Sequence, residues 1–138
     1  MKIVSACLAG IGCRYDGSGK PCQKVIELIK EGKAIPVCPE QLGGLTTPRT
    51  PVEIVEGKVL TKDGEDKTQE FIKGAEEGMK IAEMTNSTEA ILKTKSPSCG
   101  CGKIYDGTFT GNIKDGDGIF TKMLKQKGIK CLTEEDYE

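Results

Sequence analysis

The chain alternates short runs of β-branched residues with longer segments in which apolar residues recur at helical spacing. Four runs have the length and composition of strands: residues 2–6, 34–37, 90–93 and 129–132. Three segments have an apolar helical face: residues 21–31, 66–85 and 117–127. Because strands and helices alternate, the pattern predicts one α/β domain over residues 1–138, with a mostly parallel central sheet flanked by helices.

Turn and glycine signals add detail to this layout. A small hairpin is predicted over residues 53–61, with its turn at Glu56-Gly57. Gly74 and Gly78 lie four residues apart on the longest predicted helix, which indicates close packing of one helix face against a neighbouring element. The acidic tail TEEDYE is predicted to be solvent-exposed.

The composition narrows the function classes. With 20 basic and 21 acidic residues, the net charge of −1 argues against a basic nucleic-acid surface, so no DNA partner is predicted. The absence of histidine excludes Ser-His-Asp and Cys-His catalysis and every histidine-containing metal site. No apolar run approaches the ~18–20 residues that span a bilayer, and the stretch 3–12 is too broken for a signal peptide. A cytoplasmic protein without a membrane partner is therefore predicted.

Seven cysteines are the main anomaly, and an odd number in a predicted cytoplasmic chain argues against a disulfide framework. Cys7 follows the first predicted strand, Cys38 follows the second, and Cys99 lies a short loop past the third. Since the carboxyl ends of parallel strands share one edge of a sheet, these thiols are predicted to converge on one crevice. No pair among them has the C-x-x-C spacing of a zinc ribbon.

Three thiolates can hold three corners of a cubane iron–sulfur cluster and leave the fourth iron without a protein ligand. Such an iron is a Lewis acid with affinity for sulfur. From spacing alone, a zinc site and plain structural thiols remain alternatives, because ligand type does not fix the metal. Cys13 and Cys101 are candidate reserve ligands, whereas Cys22 and Cys131 are predicted to be core or surface thiols.

Two polar residues lie next to these cysteines. Glu40 directly follows Cys38-Pro39, where a desolvated carboxylate could act as a general base or could accept a hydrogen bond from a loop amide. Ser96 opens the loop that leads to Cys99, and its hydroxyl could contact a ligand, relay a proton or form a turn.

Three further side chains are candidate substrate contacts. Arg14 and Arg49, the two arginines of the chain, lie in strand-end loops, where a guanidinium can bind a substrate or brace the loop through an ion pair. The ion pair is the favoured interpretation. Ser98 lies in the loop that carries Ser96.

Several blocks of the chain together resemble a known family. They are VSACLAGIGCRYDGSGK (4–20), VCPEQLGGLTTPRTPVEI (37–54), GAEEG (74–78), AILKTKSPSCG (90–100) and IYDGTFTG (104–111). In this order, over most of the chain, they resemble the thiouracil desulfidases, a family of small bacterial and archaeal iron–sulfur domains.

The resemblance implies a [4Fe-4S] cluster held by Cys7, Cys38 and Cys99, with Glu40 and Ser96 as catalytic residues. It implies a non-redox reaction at an oxygen-sensitive centre. Sulfur of a 2-thiouracil or 4-thiouracil type pyrimidine would bind the open iron, Glu40 would activate the attacking water, and Ser96 would orient the ring or shuttle a proton. Cys101 departs from the family pattern.

Two other functions remain open at this point. The same iron could serve thiolation or dethiolation of tRNA, but the chain lacks a P-loop and a basic surface, so a small thiolated pyrimidine or nucleoside is favoured. The other hypothesis is a non-catalytic module that binds zinc or a cluster. A homodimer is also considered, with candidate interface residues Met79, Met84 and Met123.

Overall fold

The computed structural model describes residues 1–137. The strands are β1 Lys2–Ser5, β2 Ala34–Val37, β3 Val52–Val55, β4 Lys58–Thr61, β5 Glu89–Leu92, β6 Lys103–Tyr105, β7 Ile113–Asp115 and β8 Lys130–Thr133. The helices are α1 Gln23–Lys30, α2 Pro39–Leu42, α3 Thr68–Met84 and α4 Ile119–Gln126. The predicted strands and helices are present, with bounds shifted by one or two residues.

The central sheet has four parallel strands in the order β2-β1-β5-β8. Successive residues of β1 point to opposite faces. Ile3 packs on the side of α3 and α4, in the core that contains Ala75 and Phe120. Val4 packs on the side of α1, beside Val25. Helices therefore cover both faces, and the predicted α/β fold with a parallel sheet is confirmed.

Two antiparallel hairpins lie outside this sheet. The predicted hairpin is formed by β3 and β4, which turn at Glu56-Gly57. The second, formed by β6 and β7, falls in a segment predicted only as extended or turn-rich. Each strand of this hairpin has three residues, so the segment carries too few positions for a readable alternation.

Close helix packing is present where the glycines predict it. A side chain at Gly74 would overlap the backbone carbonyl of Pro39, and one at Gly78 would come within 2.8 Å of the Phe120 ring. The short helix α2 therefore lies directly against α3. This contact fixes the position of Glu40, which α2 carries.

Two predictions about exposure are wrong. Of the predicted exposed tail, Glu135 and Asp136 are exposed, but Glu134 is 5% exposed and forms an ion pair with Lys93 at 3.0 Å, and Glu138 lies outside the described residues. Met79 is 8% exposed within the core between the sheet and α3, so it cannot line a dimer face, whereas Met84 is 75% exposed. Within residues 1–137, no helix is both long and apolar enough to cross a membrane.

Candidate functional site

The cysteines after β1, β2 and β5 lie at the carboxyl edge of the sheet, on three neighbouring strands. Cys7 belongs to a 3-10 turn directly after β1, and Cys38 directly follows β2. Cys99 lies in the loop after β5. All three line one cavity of about 720 Å³, a volume within the usual range of ligand pockets. The structure thus brings together the thiols that the strand positions predict to converge.

Cys13 is a fourth thiol in this cavity, and its central position is not predicted from the sequence. Its side chain is buried between Cys7 and Cys38, and the Cys38 thiol lies 3.9 Å from the Cys13 carbonyl oxygen. The sequence gives one indication of this position: Cys13 lies six residues after Cys7, in the same strand-end loop. The path of that loop, which returns Cys13 to the sheet edge, cannot be read from spacing.

The thiols are held in surroundings that disfavour their charged form. Contact with Cys38 lowers the pKa of Cys13, but contact with Cys7 and burial outweigh it and raise that pKa to about 11. Contact with Cys13 and burial raise the pKa of Cys38, and burial raises that of Cys99. Thiolate formation in this cavity therefore requires a compensating positive centre, such as bound metal.

The donor set fits an iron–sulfur group. Within residues 1–137, no group of three or more cysteine, aspartate or glutamate side chains is arranged to hold one metal ion. A cubane cluster spreads its ligands further apart, because each thiolate binds a different iron. Four soft sulfur donors around one cavity match that requirement.

Glu40 lines the same cavity and is fixed by Arg49. The Arg49 Nε lies 3.3 Å from the Glu40 Oε1. The Arg49 side chain is 8% exposed and the Glu40 side chain is 18% exposed. Burial raises the pKa of Glu40 although the guanidinium opposes this shift. The hydrogen bond from Arg49 engages only one oxygen, so the second carboxylate oxygen remains available to a proton.

The remaining nitrogens of Arg49 hold backbone and side-chain oxygens of two loops. Its Nη2 donates to the Cys13 carbonyl at 2.8 Å, and its Nη1 donates to the Thr46 carbonyl at 3.2 Å and to the Thr47 hydroxyl at 2.9 Å. The favoured ion-pair interpretation of Arg49 is what the structure shows. Arg49 joins the loop of Cys13 to the helix of Glu40.

Ser96 lines the cavity and has a turn-forming role as well. Its Oγ accepts hydrogen bonds from the backbone N–H groups of Ser98 at 3.1 Å and Cys99 at 3.0 Å. Because the oxygen accepts both bonds, the hydroxyl proton is left for a partner in the cavity.

The N-terminus of α4 holds the loop that contains Cys99. Backbone N–H groups of Gly118, Ile119 and Phe120 donate to the carbonyls of Gly100, Pro97 and Ser98, at 2.8, 2.9 and 3.0 Å. These are groups that a helix end leaves without partners inside the helix. A rigid helix thus sets the position of the Cys99 loop.

The other sequence candidates occupy different places. Arg14 lines the cavity, where it lies over the Tyr15 ring and donates to the Ser18 hydroxyl at 3.4 Å. Ser98 is 0% exposed and lies beside Cys99, outside the cavity wall, so its side chain is not accessible to a substrate. Within residues 1–137, the Ser98 Oγ has no nitrogen or oxygen hydrogen-bond partner.

The three remaining cysteines lie away from the cavity. The Cys101 thiol points to the backbone of β8, with its sulfur 3.6 Å from the Cys131 carbonyl oxygen. Cys22 is buried at the start of α1, in the core on that side of the sheet. The structure therefore separates Cys101 from the thiols for which it was a candidate reserve ligand.

Known proteins resemble this chain in both sequence and fold. The family model for 2-thiouracil desulfurase matches residues 3–136. The uncharacterised protein YbbK of Bacillus subtilis (strain 168) is 42% identical over 146 residues, covering 99% of this chain and 97% of the relative. Among solved structures, the [4Fe-4S]-dependent thiouracil desulfidase TudS matches with a TM-score of 0.93 and 43% identity, over 97% of this chain and 90% of that one.

Proposed function

This chain belongs to the 2-thiouracil desulfurase family, and on that premise we propose that it is a [4Fe-4S]-dependent enzyme that removes sulfur from a small thiolated pyrimidine. The observation that carries the proposal is the convergence of Cys7, Cys38 and Cys99 on one cavity that Glu40 and Ser96 also line. Soft donors, a buried carboxylate and a free hydroxyl proton are the groups that cleavage of a carbon–sulfur bond by water requires.

Cys7, Cys38 and Cys99 would hold the cluster, since they follow three neighbouring parallel strands and line one cavity. When bound, the cluster supplies an iron without a protein ligand, which polarises the thiocarbonyl as a Lewis acid. Cys13 lies within the same group of thiols, and Arg49 holds its backbone carbonyl. We assign Cys13 to the cavity wall beside the cluster. The cysteine variants below test whether it lines the wall or is itself a cluster ligand.

Glu40 is the proposed general base. Arg49 fixes its Oε1, so the second oxygen can take a proton from water without reorientation of the carboxylate. The water oxygen becomes the oxo oxygen of the product. The overall reaction is thiopyrimidine plus water to oxopyrimidine plus hydrogen sulfide, and it needs no oxidant or reductant.

Ser96 is the proposed proton carrier and ring contact. Two backbone N–H groups bind its oxygen and make the hydroxyl a better proton donor. A donor of this kind can protonate the leaving sulfur or a ring nitrogen as the carbon–sulfur bond breaks.

The first test is cluster loading. After anaerobic reconstitution with iron and sulfide, we expect a brown protein with about four irons per chain. Cys7→Ala, Cys38→Ala and Cys99→Ala are expected to lose the cluster, whereas Cys101→Ala, the matched control outside the cavity, keeps it. Retention of the cluster without Cys7, or loss on replacing Cys13 alone, would contradict the ligand assignment.

The second test is turnover of 2-thiouracil and 4-thiouracil by the loaded protein, with sulfide and uracil measured together. Equal amounts of both products are expected from at least one isomer. Glu40→Gln is expected to keep its iron and lose activity. A loaded Glu40→Gln variant with unchanged turnover would remove Glu40 as the base.

A further inference from the structure

The backbone of Lys95 adopts a conformation that lysine rarely takes. Its φ is 68°, in the left-handed region where the side chain crowds the backbone. Three other non-glycine residues have positive φ: Glu56, Asn86 and Phe109. Of these four, Lys95 is the one that lines the cavity. Strained residues concentrate at active sites, so this position calls for a chemical explanation.

Fixed backbone on both sides imposes this conformation. On one side, Glu134 accepts a hydrogen bond from the Thr94 N–H at 2.8 Å and pairs with the Lys93 ammonium at 3.0 Å. On the other, the Ser96 hydroxyl oxygen caps the following turn. Residue 95 lies between these two anchors, and its backbone also forms an isolated parallel bridge with Ile104.

The charge of Lys95 is also without a partner in the described residues. Within residues 1–137, no carboxylate forms an ion pair with it, although its side chain is half-buried. Of the other cations that line the cavity, Lys93 is engaged by Glu134 and Arg49 by Glu40, whereas Arg14 and Lys67 also form no ion pair within residues 1–137. Lys95 differs from Arg14 and Lys67 because it directly precedes Ser96. A half-buried cation beside Ser96 is therefore available to a ligand in the cavity.

We propose that Lys95 is a further catalytic residue of the desulfidation proposed above, on which this inference rests. Its ammonium donates a hydrogen bond to the oxo oxygen of the thiolated pyrimidine, the ring substituent that carries no sulfur. As water adds to the thiocarbonyl carbon, electron density moves onto the sulfur and the ring. A fixed cation at the oxo oxygen stabilises that charge. Lys95 also selects pyrimidines that carry an oxo group.

The test compares loaded wild type with Lys95→Met and Lys95→Gly. Both variants remove the ammonium, and we expect kcat/KM for the thiouracil to fall on the order of 100-fold. Iron content and the visible spectrum should not change. Lys95→Gly also relieves the backbone strain, so its Tm should rise by a few degrees. Lys95→Arg, which keeps the charge, should recover part of the activity.

Glu56→Gly is the matched control for strain, because Glu56 is exposed in the turn between β3 and β4, with a φ of 51°. It should raise the Tm without changing turnover. Lys67→Met is the control for charge, since Lys67 also lines the cavity. Its effect should be well below that of Lys95→Met.

A substrate without the oxo group separates direct contact from general disturbance. Pyrimidine-2-thione offers no oxo oxygen, so Lys95→Met should leave its kcat/KM almost unchanged. Equal losses for pyrimidine-2-thione and 2-thiouracil would overturn the contact, as would full activity of Lys95→Met. A loaded wild type that turns over no thiolated pyrimidine would overturn the proposed function itself, and this inference with it.

Discussion

The Glu40 carboxylate and the Arg49 guanidinium form an ion pair of 3.3 Å in the wall of the cavity, and both side chains are mostly buried. Arg49→Met would leave the carboxylate without its partner. Breaking such a pair is expected to cost on the order of 3 kcal/mol in the free energy of unfolding, because the remaining charge keeps its desolvation penalty. Urea denaturation measures this loss.

The double variant Arg49→Met/Glu40→Gln checks the cause. Neutralising the carboxylate removes the unpaired charge, so the double variant should regain part of the stability that Arg49→Met loses. Activity should stay absent, since the proposed base is gone. If the two single losses simply add, the ion pair does not account for the stability effect.

The placement of Glu40 at the sheet edge could be predicted from the sequence. For Arg49 the sequence left two roles open, a substrate contact and an ion pair, and it did not identify Glu40 as the partner. Alternating strands and helices imply a parallel sheet, and the residues that follow β1, β2 and β5 then share one edge. Arg49 reaches Glu40 through a loop whose path has no periodic signal. Sequence spacing therefore located the site but left the role of the arginine open.

Other parts of the site depend on contacts between distant segments. Glu134 lies in a tail whose charge predicts exposure, and it is buried because Lys93 and Thr94 provide partners forty residues away. The left-handed conformation of Lys95 follows from anchors on both sides of it. Neither feature leaves a pattern in neighbouring residues, so neither could be predicted from periodicity.

Gly74→Ala should separate Glu40 from the site. A methyl group at residue 74 would overlap the Pro39 carbonyl, so α2 has to move away from α3 and takes Glu40 with it. Overpacking of this kind is expected to cost about 1–3 kcal/mol. A displacement near 1 Å can cost about 100-fold in rate. Denaturation and turnover of the loaded protein measure the two effects.

Gly78→Ala is the matched control for this variant. Its methyl group would crowd the Phe120 ring, on the same helix but away from α2. A similar loss of stability is expected. Because the Phe120 N–H also holds the Ser98 carbonyl, iron content is measured beside turnover, and kcat per loaded protein should fall much less than in Gly74→Ala. Equal loss of kcat in both variants would show that strain in α3, and not the shift of Glu40, lowers the activity.

Glu134→Gln tests the support of the strand end before Ser96. Glu134 accepts hydrogen bonds from the Thr94 N–H and faces the Lys93 ammonium, and it is nearly inaccessible to water. Loss of its charge is expected to cost about 2 kcal/mol of stability. Glu135→Gln, an exposed neighbour, is the control and should change stability little. Equal stability of the two variants would contradict the role of Glu134.

Asp117 provides a prediction about pH. Burial raises its pKa, but hydrogen bonds from the Gly102 N–H at 2.8 Å and from Lys125 outweigh this and lower the pKa below its usual value. A carboxyl whose folded pKa is depressed stabilises the fold above its unfolded pKa, near 4, and loses that contribution as pH falls through the folded value.

Asp117→Asn removes this titration. The stability difference between wild type and Asp117→Asn should therefore be largest near neutral pH and should shrink as the pH falls below about 4. Urea denaturation across that range measures it. Lys125→Met should weaken the same dependence, because the ammonium no longer favours the ionised carboxyl. The stability difference between wild type and Asp117→Asn could instead stay constant from neutral to acid pH. That result would mean that the asparagine acts through packing, and that the ionised carboxyl does not stabilise the loop before α4.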